Sequence, residues 1–117
     1  MKRHHGPDVL FIEPSEMVVT AEMRHVYAMG RRDIDYTAGP LVTLVDGPHF
    51  DFLWAERSLL ISGQVRGADA VAIGRGDAID AEMEQMIRAA FKDFDADPFL
   101  LSSVNGDGID RLMALIE

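Results

Sequence analysis

The chain has no cysteine, which excludes disulfides, thiolate metal ligands and a cysteine nucleophile together, and makes a reducing compartment, the cytoplasm, the expectation. Lysine is nearly missing as well, with Lys2 and Lys92 the only two. Neither follows a Gly-x-x-x-x-Gly-Lys-Ser/Thr run, in which backbone amides close on phosphates, the lysine bridges the β and γ groups and the hydroxyl holds Mg²⁺. The sequence therefore contains no phosphate-binding loop. Positive charge as a whole is scarce: 11 Lys+Arg stand against 20 Asp+Glu, a net charge of -9. Such a surface repels polyanions, so no nucleic acid is expected as a partner. No apolar run approaches the ~18 residues that span a bilayer, and the opening Met1-Lys2-Arg3-His4-His5-Gly6-Pro7 lacks the apolar core of a secretory signal. No membrane association is expected.

What is present is enough apolar material to fold. At 117 residues, 48% of them hydrophobic, the length and composition predict one globular domain over residues 1–117. Val9-Leu10-Phe11-Ile12 is a continuous apolar run ended by Glu13-Pro14, the pattern of a strand buried on both faces. Ser15 can cap a helix carrying Val19, Met23, Val26 and Tyr27 at helical spacing, with Gly30 suited to its end. Pro40 to Val45 is β-branched and strand-like, and Pro48 to Arg66 reads as a helix whose apolar set is Phe50, Leu53, Trp54, Leu60, Ile61 and Val65. Val71-Ala72-Ile73 is a short strand, after which Asp80 caps a helix with Met83, Met86, Ile87, Ala90, Phe91 and Phe94 on one face. Pro98 to Val104 is a strand, Asn105-Gly106-Asp107-Gly108 a turn, and Ile109, Leu112, Met113 and Ile116 the inner stripe of a closing helix. Four strand-then-helix units predict an α/β fold: a mostly parallel four-stranded sheet with helices on both faces.

Ligands of such sheets sit at the carboxyl ends of the strands. Those ends carry Glu13, Asp46, Asp77 and the pair Ser102-Ser103. Taken singly, each reads as a helix cap or turn residue. Their order carries more: Asp8 to Ser15, then Thr43-Leu44-Val45-Asp46, then Gln64-x-x-x-Ala68-Asp69, then a strand and loop into Asp77, then Ser102-Ser103-x-Asn105-Gly106-Asp107-Gly108 before a helix. That succession resembles the latter part of a CobW/HypB/UreG-type P-loop GTPase, a family of GTP-hydrolysing metal chaperones and metallocentre-maturation factors, and covers roughly Asp8 to Leu115.

The resemblance implies a partial P-loop NTPase-like, Rossmann-like three-layer fold, GTP and Mg²⁺ as cofactors, and a metalloenzyme client. It makes Glu13 the catalytic or switch acid that senses the γ-phosphate and its Mg²⁺ or orders the attacking water. It makes Asp77 the guanine reader, accepting from N1 and the 2-amino group, with Arg75 beside it and Ser102, Ser103 and Val104 as the segment whose backbone faces the base. The chain departs from the family in several places. Gly74 and Arg75 stand where the family has Asn and Lys, Glu16 stands where a glycine follows the switch serine, and the cysteine-containing metal motif is missing along with the phosphate loop. The resemblance is thus to the second half of the domain, and GTP hydrolysis is not expected of this chain alone. In the complete fold the loop-bearing strand lies between those matched by Val9 to Ile12 and Leu41 to Val45, which leaves a gap of ~10 Å. Backbone groups buried unpaired there would cost ~1 to 3 kcal/mol each. Direct pairing of the flanking strands, a strand donated by another chain as in a homodimer, or the missing part of the domain, carried by a longer natural protein or encoded separately, would fill it.

A rival from another class is a non-catalytic interaction or scaffold module of the same fold, without nucleotide, that captures partners through the strands Val9 to Ile12 and Leu41 to Val45. A flavodoxin-like or receiver-type domain shares the alternation of elements but lacks their acidic pair and strand-end lysine. His25 and His49 stand far apart in sequence and read as surface or cap histidines rather than as a ligand set, so no intrinsic metal site is predicted. Arg75-Gly76-Asp77 spells an integrin-binding tripeptide, for which loop geometry is the better account. The seven methionines fall mostly at apolar helical positions, the ordinary core-filling use of that side chain. No serine stands in a spacing that argues for acyl transfer.

Overall fold

A computed structural model describes residues 9–13, 19–30 and 39–116. Among the described residues the chain forms three strands and four α-helices in the order α1 (Thr20–Gly30), β1 (Val42–Asp46), α2 (Phe50–Val65), β2 (Ala70–Gly74), α3 (Ala81–Phe91), β3 (Phe99–Leu101), α4 (Ile109–Ile116). Short 3₁₀ turns at Gly76–Ala78 and Lys92–Phe94 follow β2 and α3. The strand end expected at Pro14 and the helix cap expected from Ser15 lie outside the described residues.

The helices form where periodicity and capping agree. Asp80 caps α3, its carboxylate accepting from the Met83 amide at 2.8 Å. Glu82 and Glu84 sit in the first turn and Arg88 in the last, each matched to the sign of the helix dipole. Arg88 also reaches back to Glu84 at 3.1 Å. The Ile87 and Phe91 side chains are fully buried, whereas Met86, expected inside, stands on the margin at 42% exposure. α2 covers almost the expected span but is kinked: Arg57 has φ -137° and ψ 37°, outside helical values. Phe50 and Trp54 before the kink and Ile61 and Val65 after it all meet the core.

The sheet is parallel throughout, in the order β1-β2-β3. Because side chains alternate across a strand, the register Val45↔Ile73 and Ile73↔Leu100 puts those three residues, with Val71, on one face. There they meet Phe50, Val65, Ile87 and Phe91. Phe50, Trp54 and Phe91 form a ring cluster with centroids 5.5 to 5.6 Å apart, one pair stacked and two edge-on. Ala72 and Phe99, neighbours in the register, face the other way and are buried. On that side Arg111 of α4 lies 4.6 Å over the Phe99 ring.

The sheet has three strands, not the four expected. Val9 to Ile12 are irregular and exposed, Phe11 at 75%. An apolar run is a strand only where an edge offers it hydrogen bonds and both faces are covered, and among the described residues β1 is paired with β2 alone. The last strand is also shorter than expected, ending at Leu101, with Ser103 to Asn105 in a turn. At the opposite end of the sheet Asp69 accepts from the Leu41 amide at 2.7 Å and pairs with Arg24 at 3.3 Å, while the Thr20 hydroxyl donates to the Gly63 and Arg66 carbonyls. These contacts fasten α1 to the C-terminal end of α2. No helix of the described residues is long and apolar enough to cross a membrane.

Candidate functional site

The carboxyl ends of the three parallel strands lie side by side, and their loops carry the polar residues. After β1, Gly47 continues the ladder by donating to the Gly74 carbonyl at 3.2 Å. A Cβ there would lie 2.7 Å from that same carbonyl oxygen, so only glycine allows β1 and β2 to end together. Asp46 then turns back on its own loop, its carboxylate accepting from the His49 amide at 3.3 Å and facing the His49 Nδ1 at 3.1 Å. Both side chains are exposed.

After β2 the chain turns through Arg75, held in the left-handed region at φ 55°, and enters the 3₁₀ turn that presents Asp77. After β3 it winds around Ser102, which is 1% exposed. The Ser102 hydroxyl donates to Asp77 Oδ1 at 2.6 Å and accepts from the amides of Val104 at 3.1 Å and Asn105 at 3.3 Å. Its own amide donates to the Asp107 carbonyl at 2.9 Å, and its carbonyl accepts from Gly106 at 3.0 Å. Asn105 Oδ1 closes the loop by accepting from the Asp107 amide at 2.9 Å. Gly108, at φ 78°, completes the turn where a Cβ would overlap the Leu100 carbonyl.

Ser102 thus joins two loops that are 25 residues apart in sequence. A hydroxyl donating to a carboxylate is a charge-assisted bond, and it fixes the Asp77 side chain while leaving that residue exposed. The Ser103 amide, next along the chain, makes no hydrogen bond among the described residues. A fixed carboxylate acceptor and an amide donor without a partner among the described residues therefore lie in the loops that follow β2 and β3. The amides of Val104 and Asn105 are taken up by the Ser102 hydroxyl.

The residues expected at the site are brought together only in part. Asp77, Ser102, Ser103 and Val104 share one rim with Arg75, whose guanidinium makes no ion pair among the described residues. Glu13 lies in the exposed segment 9–13 and makes no hydrogen bond or ion pair among the described residues. Asp69, part of the motif that carried the resemblance, sits at the amino end of β2, where it positions backbone. Asn105 and Asp107 shape the loop around Ser102; in sequence they are visible only as an Asn-Gly-Asp-Gly turn. The Asp46–His49 pair also went unforeseen, although a strand-end acid three residues before a histidine permits it. Among the described residues no group of three or more His, Cys, Asp or Glu could hold a metal ion.

Comparison with protein-family models, with curated proteins and with solved structures finds no match to this chain.

Proposed function

We propose that this chain is the base-reading half of a GTP-binding domain of the CobW/HypB/UreG type, a metallochaperone or metallocentre-maturation factor whose phosphate chemistry depends on a loop this sequence lacks. The observation that carries the reading is the Ser102–Asp77 bond of 2.6 Å across the ends of β2 and β3, with the Ser103 amide open beside it. Guanine offers two donors, N1–H and the 2-amino group, next to one acceptor, O6. A fixed carboxylate and a neighbouring amide donor complement that edge. Adenine presents a lone pair at N1 and a donor at its 6-position, and would set lone pair against carboxylate and donor against donor, a mismatch that discriminates strongly in a site built of hydrogen bonds. The strand order β1-β2-β3, all parallel, is also that of the second half of the resembled fold.

Hydrolysis is not assigned to this chain: Glu13 is not gathered to the rim, and no described residue takes the part of the phosphate loop. The test is a titration with fluorescent GTP and ATP analogues, with Asp77→Ala as the control. Saturable binding that favours guanine and disappears in the variant is the expected result. No binding up to ~1 mM, a free energy of only about -4 kcal/mol, would overturn it. That result would leave the second reading, a nucleotide-free interaction module, which the outer edge of β1, unpaired among the described residues, favours.

A further inference from the structure

β1 is an edge strand with a groove along it. The Leu41 carbonyl accepts from Ala70 at 3.4 Å and the Gly47 amide donates to Gly74 at 3.2 Å. By strand alternation the backbone groups of Leu41, Thr43, Val45 and Gly47 turn toward β2, and those of Val42, Leu44 and Asp46 turn outward. Among the described residues nothing pairs with that outer row. Beside it runs a groove of about 220 Å³, floored by Thr43 to Asp46 and walled by Leu53, Leu60 and Ile61 of α2. On the far side of the strand Leu44 is 64% exposed. A strand laid here would be apolar on both faces, one against α2 and one beside Leu44.

The same molecule carries a segment of that description. Val9-Leu10-Phe11-Ile12 is apolar at every position, so either alternation suits both faces. Its four residues extend ~13 Å, the length of the four β1 residues that floor the groove. In the folded chain this run stands clear of the groove with all four side chains exposed, so run and groove are open on one protomer at once. We infer that two copies of this chain form a closed dimer by strand exchange, the Val9–Ile12 run of each lying along β1 of the other. A two-fold arrangement satisfies both open surfaces in one step, run and groove pairing reciprocally between the copies.

Sedimentation velocity over a range of concentrations tests this with two variants. Leu44→Pro removes an outward N–H without touching the ladder to β2, a position where an edge strand tolerates proline. Phe11→Lys puts a charge in the exposed run, far from the core. The wild type is expected to dimerise, and each variant to weaken dimerisation by about tenfold or more with unchanged circular dichroism. Mixing the two variants should restore association, because the intact run of the first fits the intact groove of the second. Should Leu44→Pro fail to fold, Phe11→Lys still decides. A wild type that stays monomeric, a dimer indifferent to Phe11→Lys, or a monomer whose Leu44 amide is protected from exchange by its own run would each overturn the inference. None of these outcomes depends on nucleotide binding.

Discussion

At the scale of single residues, Ser102 is the position on which the candidate site turns. Its buried hydroxyl serves three partners, donating to Asp77 and accepting from two loop amides. Ser102→Ala leaves those amides without their acceptor and frees the carboxylate. The expected cost is ~1 to 3 kcal/mol, the desolvation of buried groups left unpaired, read as a lower urea midpoint with the slope unchanged. Nucleotide affinity should fall as well, although Ser102 need not touch the base, because Asp77 is then no longer held. A stability loss with guanine binding intact would make Ser102 a loop residue alone. The carboxyl-end positions of Asp77 and Ser102 are legible in the sequence, since Asp77 follows the Val71 to Ile73 run through a short loop and Ser102 lies late in the Pro98 to Val104 run. Their bond was not, because it depends on the register Gly74↔Leu101, which no local pattern encodes. Glu13 shows the converse: its place after an apolar run looks like a strand end, but among the described residues the run has no partner strand.

At the scale of elements, what could be read was whatever carried its own periodicity and its own cap. α3 has both, and its core-facing residues came out as expected except for Met86. Its cap gives a clean prediction: Asp80→Ala removes the bond to the Met83 amide and should lower stability by about 1 kcal/mol, visible in thermal melts, while leaving Asp77 and the loops beyond β3 in place. Asp80→Asn, which keeps the acceptor, should recover most of that loss. The kink in α2 was hidden because the apolar set on either side of Arg57 still fits helical spacing approximately, and the break shows only in backbone angles. The Val9–Ile12 run was read as a buried strand from composition, and composition cannot report whether an edge is available. Among the described residues β1 pairs with β2 alone, a fact of strand order that no local pattern encodes.

At the scale of the whole molecule, the net charge of -9 bears on how two copies could meet. Two such chains repel, and at low ionic strength the repulsion reaches well past contact: the Debye length is ~30 Å at 0.01 M salt and ~10 Å at 0.1 M. The proposed contact is apolar, formed by Val9 to Ile12 against Leu44, Leu53 and Leu60, and gains nothing from opposite charges across it. Salt should therefore tighten the dimer, by screening the repulsion and without weakening the attraction. The dissociation constant from sedimentation equilibrium is expected to fall several-fold between ~0.02 and ~0.5 M NaCl. An interface built on ion pairs between copies would respond in the opposite sense and lose affinity over the same range, so the sign of the salt dependence separates strand exchange from association through the charged faces of the helices.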